Sequence, residues 1–578
     1  MTTEIRRRTT LGAGAVLLLA LLSLSCGTPP PPQADANPTL DANWWKGAVI
    51  YEVYPRSFGD SNGDGVGDLE GIIDHLDYLQ DLGVDGIWIT PFYPSPQVDF
   101  GYDVSDYTTI DPQYGTMADF DRLVAEAGKR HIKIVTDLVL NHTSDQHPWF
   151  LESSSSRTNS KADWYVWVDG KRETPPNNWL SIFGHSAWEW DEMRQQYYYH
   201  AFYKQQPDLN WRNLQVRAAM YDIMRGWMKR GVAGFRLDAV PQLFEDPKLT
   251  NEKYLGGVNA YGDRRTERVH TDNLPEVHGV YRELRQVVDA VPGTVLIGET
   301  YLPDIQELAQ AYGAKNDELQ LPMDTQYGMG SRLSAEFFRS RLREAETDLN
   351  GHIPLFVFDN HDNRRSWNRF GDGKHDAAIA RLIATLLLTP RDTALLYYGQ
   401  EIGMQNNDPK TIEEVKDPIG KIGWPKEVGR DGERTPMQWN LDPDAGFSSS
   451  PSPWLPVAPD FDKVNVSVET GDPGSLLSFY RGLIHLRKTN AALRAGDLRI
   501  VDEKNRDVLS FVRTAGGTTV LVSMNCSDEP RTLHFDAHRI GVSGNSLTTL
   551  IQAGGSGQTA KLGDLALAPF GVFVGEVH

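Results

Sequence analysis

The chain has 578 residues, 40% of them hydrophobic, enough for a large core, and its length suggests several domains unless one large barrel absorbs much of it. Its formal net charge is −21, and loss of Glu4, Arg6, Arg7 and Arg8 with residues 1–25 makes it about −23. So acidic a surface argues against nucleic acid and anionic lipid as partners and suits a neutral substrate, although plain solubility asks for as much.

Residues 1–25 read as an export signal, with Arg6-Arg7-Arg8 followed by an apolar stretch from Leu11 to Leu24 that is too short for an ordinary membrane span. Ser23-Leu24-Ser25-Cys26 resembles a bacterial lipoprotein cleavage site, with Ser23 where an aliphatic residue is usual. An exported chain, lipid-anchored at Cys26 in the cell envelope or periplasm, is the expectation. Ordinary signal cleavage and an uncleaved anchor are the alternatives, and the arginines also loosely resemble a twin-arginine signal. Residues 26–43, with Pro29-Pro30-Pro31-Pro32, lack periodicity and read as a tether. If Cys26 carries lipid, the other cysteine, Cys526, has no disulfide partner and reads as a buried apolar residue in a strand.

From Trp44 onward, apolar β-branched runs alternate with helical patterns, which predicts parallel strands with crossover helices. The strand candidates are residues 48–54, 84–90, 132–140, 234–240, 294–300, 319–325, 354–358 and 394–398, the number that closes a TIM (β/α)8 barrel. The sixth carries Pro322 inside it, which is unusual for a central strand. The catalytic barrel would then run over 44–140 and 207–495. The gap of about ninety residues after the third strand is too long for one helix and its loops, so residues 141–206 read as an inserted subdomain. Its Trp164, Trp167, Trp179, Trp188 and Trp190 would form the core of a small lobe, with stacking on sugars as the alternative. Roughly seventy residues follow the eighth strand, dense in Pro, Gly and Asp, and read as functional loops with small helices before a helix over 476–493. Short alternating runs over 496–578 predict a C-terminal antiparallel β-sandwich domain.

Three strand ends deliver acids: Gly234-Phe235-Arg236-Leu237-Asp238-Ala239-Val240, Ile297-Gly298-Glu299-Thr300 and Asp359-Asn360-His361-Asp362. Acids at one barrel rim are an active-site arrangement, and paired carboxylates facing a sugar cleave glycosides. A lone strand-end acid is more often in a salt bridge; three at one rim are not so explained. Arg236, two residues from Asp238, points the same way and should hold that carboxyl ionised as a nucleophile. Asp238 and Asp362 should crowd Glu299 with charge and raise it toward a general acid.

With Asp137-Leu138-Val139-Leu140-Asn141-His142, these segments resemble the four hallmark motifs of the α-amylase family of glycoside hydrolases, a likeness that covers nearly all of the chain after the tether. The resemblance implies Asp238 as nucleophile, Glu299 as general acid/base and Asp362 as transition-state stabiliser, with Arg236, His142 and His361 contacting the sugar. Gln206-Pro207-Asp208-Leu209-Asn210, residues 141–147, Gly101-Tyr102-Asp103 and Arg434-Thr435-Pro436-Met437-Gln438-Trp439 are similar to the oligo-1,6-glucosidase and α-glucosidase subgroup. There Tyr102 would stack on the terminal glucose while Asp103 and Arg434 pair to grip its outer hydroxyls. Ala239, rather than the valine of α-1,6-cleaving relatives, implies α-1,4 substrates of maltose type. The segment 234–241 also resembles trehalose synthases, so isomerisation or glucosyl transfer stays open beside hydrolysis.

The loop Asp60-Ser61-Asn62-Gly63-Asp64-Gly65-Val66-Gly67-Asp68 spaces oxygen donors at alternate positions, as in the first part of an EF-hand, but has Gly71 at the twelfth position instead of Glu. Family likeness implies a structural Ca²⁺ held by Asp60, Asn62, Asp64, the Val66 carbonyl and Asp68; a solvated turn is the alternative. The expectation from sequence is thus an exo-acting retaining α-glucosidase acting on a small oligosaccharide or disaccharide, without an organic cofactor. The rival from another class is a non-catalytic carbohydrate-binding lipoprotein.

Overall fold

Eight parallel strands close into a barrel: β1 (Val49–Val53), β2 (Gly86–Ile89), β3 (Lys133–Val139), β4 (Gly234–Asp238), β5 (Val295–Gly298), β6 (Leu321–Asp324), β7 (Leu355–Val357) and β8 (Thr393–Tyr397). In this computed structural model the described residues are 41–328, 330, 332–552 and 559–578, so the expected export signal, Cys26 and all but the last residues of the tether lie outside them. Each strand falls inside a predicted run or within one residue of it. The strands are buried almost throughout, and a strand buried on both faces reads as a continuous apolar run. Pro322 has no N–H to give the ladder beside β5. Lower on the same two strands the Gln320 side chain ties them together: Leu296 N–H donates to Gln320 Oε1 at 3.0 Å, and Gln320 Nε2 donates to the Thr294 carbonyl at 3.2 Å.

Between β3 and helix Leu214–Lys229, strands Trp167–Val168, Gln196–Tyr199 and Trp188–Asp191 form a small antiparallel sheet. Trp179 and Trp188 stack at 5.7 Å in its core beside Tyr199, and none of the five tryptophans lines the central cavity. A second insertion was not expected. After β4, strands Tyr254–Val258 and Arg264–Thr266 pair as a hairpin tied to the small lobe by Trp179 Nε1 donating to the Thr250 carbonyl (2.8 Å) and His185 N–H donating to Asp263 (2.8 Å).

The long segment after β8 carries short helical turns, among them Pro418–Gly423 and Asp431–Arg434. The helix expected over 476–493 is two: Leu476–Thr489 ends at Asn490, whose side chain caps Ala491–Ala495. The C-terminal region pairs a six-stranded antiparallel sheet with a two-stranded one (Arg531–Leu533 and Leu565–Leu567) over a shared core containing Val512, Leu521, Leu533, Leu565 and Phe573. Cys526 does not lie in a strand but directly after Thr518–Asn525, half-buried and free, with burial pushing its thiol up to about 12.

Candidate active site

Parallel register levels the rim residues. Arg236 on β4 sits beside Asp137 on β3, and because Gly298 pairs with Leu237, Glu299 follows beside Asp238. Neighbouring strands stand about 4.8 Å apart, so Asp238 and Glu299 are adjacent carboxyls by construction. A Cβ on Gly298 would lie 2.4 Å from Leu319 Cδ1, so any larger residue there would have to displace that side chain.

Arg236 is wholly buried and serves three acids. Nη1 donates to Asp238 Oδ1 at 2.6 Å and to both Asp137 oxygens at 3.0 and 3.1 Å; Nη2 lies 2.6 Å from Glu299 Oε1 but without hydrogen-bond alignment. The directed bond therefore belongs to Asp238. Ala239, next in the chain, adopts left-handed φ 47° and ψ 34°, which turns its N–H onto Glu299 Oε2 at 2.7 Å.

Burial raises both Asp238 and Glu299 to about 7, with Arg236 opposing it in each case and neighbouring acids adding to it. The expectation for Asp238 is corrected: one guanidinium shared among three carboxyls does not offset the desolvation of that site. The two carboxyls hold about one proton between them near neutrality. Asp362 differs. Burial would raise it, but the guanidiniums of Arg430, Arg434 and Arg236 together hold it below the ordinary carboxylate range.

A cavity of about 840 Å³ opens over these acids. Tyr102, His142, Asp238, Glu299, His361 and Asp362 line it, whereas Arg236 is buried beneath them and does not. The Tyr102 hydroxyl reaches Asp137 Oδ2 (3.0 Å) and His361 Nε2 (2.7 Å). His142 is lowered to about 3 by burial and stays neutral, its Nε2 near the Tyr102 carbonyl (3.1 Å) and Gln206 Nε2 (3.1 Å). Asp208 does not face the cavity; it accepts from Asn141 Nδ2 at 2.8 Å and so braces the residue before His142.

Asp103 and Arg434 do not pair and do not line the cavity. Asp103 is fully buried and accepts from Ser95 Oγ, Val98 N–H and Asp99 N–H at 2.8 to 2.9 Å, bracing a turn. Arg434 stands behind Asp362, donating to it at 3.0 Å and to the His361 carbonyl at 2.8 Å. The acid and base that do meet in the cavity are Asp99 and Arg430. Arg430 Nη2 donates to Asp99 Oδ1 at 2.7 Å, Nη1 to Asp362 Oδ1 at 2.9 Å and Nε to Asp417 Oδ2 at 2.8 Å. Two acids flank Tyr102 in Asp99-Phe100-Gly101-Tyr102-Asp103, and two arginines stand four apart in 430–434; only the fold distinguishes them.

The sequence comparisons meet this geometry. A model described as the α-amylase catalytic domain matches residues 52–496. The chain belongs to the α-amylase family. Among curated relatives of this family, a probable α-glucosidase of Rhizobium meliloti (strain 1021) is 43% identical over 86% of this chain and 92% of its own. An oligo-1,6-glucosidase of Parageobacillus thermoglucosidasius is 38% identical over 87% and 93%. Among solved structures, an α-glucosyl transfer enzyme, XgtA, superposes with a TM-score of 0.85 at 39% identity, covering 93% of this chain and 99% of that one.

In the loop 60–68, Asp60, Asn62 and Asp64 each accept the N–H two residues on, at 3.1, 2.9 and 2.8 Å, and Asp60 also accepts from Gly65 N–H at 2.8 Å. Asp68 caps helix Leu69–Asp74 through Gly71 N–H (2.7 Å) and accepts from Ser61 Oγ (2.8 Å). Among the described residues no three His, Cys, Asp or Glu side chains gather as a metal cluster. The donor chemistry, hard oxygens with spare lone pairs in a tight curl, still fits a hard cation.

Proposed function

We propose that this α-amylase family member is an exo-acting, retaining α-glucosidase that removes single glucose units from the non-reducing ends of short α-1,4-glucosides such as maltose. Asp238, held by the directed bond from Arg236, is the nucleophile. Glu299 keeps the shared proton, gives it to the departing glycosidic oxygen as Asp238 attacks the anomeric carbon, then takes a proton from water as the glucosyl ester is hydrolysed. Asp362, ionised throughout, faces the positive charge that develops on the sugar. Adjacent register on strands about 4.8 Å apart suits the roughly 5 to 5.5 Å separation of a retaining pair.

The observation that carries the exo reading is the Asp99 and Arg430 ion pair beside Tyr102, with Arg430 also bound to Asp362. It puts a fixed acid and a fixed base at the same end of the cavity as the catalytic acids, where the outer hydroxyls of a terminal glucose would need donors and acceptors. The names of the relatives, α-glucosidase and oligo-1,6-glucosidase, support the reaction class, and Ala239 favours the α-1,4 bond. Incubation with maltose and isomaltose, followed by NMR of the first-formed anomer, tests the proposal: α-glucose from maltose is expected, and β-glucose or internal cleavage products would overturn it. Asp238→Asn should lower kcat by about 10³-fold or more.

A second reading is glucosyl transfer, favoured by the aromatic wall of Phe183, Phe202, Tyr261 and Tyr301 that could shield the intermediate from water, and by the solved relative named as a glucosyl transfer enzyme. The same NMR run with an added alcohol separates the two by whether free glucose or a new glucoside dominates. Two further proposals complete the picture. The loop 60–68 holds a structural Ca²⁺ through Asp60, Asn62, Asp64, the Val66 carbonyl and Asp68, which would supply rigidity and no chemistry; EDTA should lower the melting temperature. The chain is exported and lipid-anchored at Cys26, which Cys26→Ser would release from membranes.

A further inference from the structure

Beneath the rim lies a carboxyl that the mechanism above does not use. Glu52 on β1 is wholly buried, and its only side-chain ionic contact among the described residues is with the imidazole of His361. Its Oε1 lies 2.6 Å from His361 Nδ1 and accepts the His361 backbone N–H at 3.3 Å, while Oε2 has no partner. A carboxylate so placed would leave charge on an oxygen that no protein donor among the described residues meets; a carboxylic acid leaves only a carbonyl there. Of the charged groups facing Glu52, Arg236 favours its ionised form and two acids oppose it. Arg236 is committed to Asp137, Asp238 and Glu299, and Asp137 and Asp362 both disfavour another negative charge.

Counting protons at His361 leads to the same place. The Tyr102 hydroxyl donates to Asp137 Oδ2, so its oxygen is left to accept from His361 Nε2 at 2.7 Å. That bond places a proton on Nε2, which also lies 3.2 Å from Asp362 Oδ2 without hydrogen-bond alignment. In a neutral imidazole Nδ1 is then an acceptor, and only a protonated Glu52 can satisfy it. Tyr54 and Tyr102 lie nearly parallel to the ring, at centroid distances of 6.0 and 5.3 Å and interplanar angles of 15° and 11°, and restrict its turning.

We propose that Glu52 is a positioning residue acting as a neutral acid: by donating to Nδ1 it fixes His361 as the Nε2–H tautomer, which donates to the Tyr102 hydroxyl and so holds both rings in place at the glucose site. Burial, which raises Glu52 and lowers His361, is consistent with a neutral pair. The proposal rests on the placement of His361 against the sugar made above.

Steady-state kinetics with p-nitrophenyl α-glucoside and neutron diffraction of the wild-type protein test it. Glu52→Gln keeps an N–H for Nδ1 and should stay within about twofold of wild type in kcat and KM. Glu52→Leu should lose about 10²-fold in kcat, with less change in KM. The neutron map, which needs no variant to fold, should place deuterium on Glu52 Oε1 and on His361 Nε2. Deuterium on Nδ1 against a bare carboxylate overturns the proposal, as do equal losses in the Gln and Leu variants. His361→Ala separates this idea from the one beneath it. Full activity there would sink the placement of His361 at the sugar, whereas an inactive His361→Ala with a fully active Glu52→Leu would sink the role of Glu52 alone.

Discussion

Asp99 and Asp103 are both buried acids, four residues apart, yet they are put to different uses. Asp99 meets Arg430 in the cavity, while Asp103 has its oxygens taken by a turn. Asp99→Asn should therefore lower kcat/KM on maltose by about 10- to 10²-fold, the worth of one or two charge-assisted hydrogen bonds, with little change in melting temperature. Asp103→Asn should instead lower the melting temperature and spare kcat/KM in the fraction that folds. Thermal scans with kinetics on both variants check the pair. The two acids near 7 set a further expectation. Below neutrality Asp238 gains the proton that stops attack; above it Glu299 loses the proton it must give, so kcat/KM should follow a bell centred near pH 7. Asp362 stays ionised across that range and adds no limb. A rate profile from pH 5 to 9 that was flat on either side would contradict the assignment.

At the scale of elements, the turn from β4 into its loop is the most constrained. Ala239 holds a left-handed backbone, and a β-branched residue there is a genuine outlier. Ala239→Val should cost about 1 to 2 kcal/mol in urea unfolding and raise the ratio of isomaltose to maltose cleavage, since the added methyls lie beside Asp238 and Glu299. The barrel strands were legible because burial on both faces leaves a continuous apolar signature. The hairpin 254–266 was not, because all five residues of its first strand are exposed and two are glycine, so it carries neither a run nor an alternation. Asp238 and Glu299 could be read as rim acids because they close barrel strands; Asp362 lies beyond the end of β7 and was read through its motif. Arg430 was not: it lies in an irregular segment where no periodicity says which way a side chain points.

For the whole molecule, buried carboxyls govern the response to pH, those beyond the catalytic pair as well as Asp238 and Glu299. Burial raises Glu245, Asp324 and Glu469 to about 7 and Glu433 to about 8. Their folded values exceed the unfolded ones, so the folded chain binds more protons between about pH 4 and 8. The stability they confer is full below that window and is lost as pH rises through it. Buried histidines oppose this: His142 is lowered to about 3, and His147 and His200 to about 4. They act only below about pH 6.5, where their unfolded forms take up protons. Between pH 6.5 and 8.5 the carboxyls act alone, and the melting temperature should fall by several degrees; calorimetry across that interval reads it, and a rise would refute the sign.

The ion pair at the end of the cavity joins residues 331 positions apart, Asp99 in the loop after β2 and Arg430 beyond β8. A ribosome has therefore completed every barrel strand and both catalytic acids before it supplies the arginine that Asp99, Asp362 and Asp417 await. Until that residue emerges, three aspartates face one another without their shared counterion. This end of the cavity therefore cannot be complete until residue 430 has been made, with only the C-terminal part of the chain, residues 431–578, still to follow.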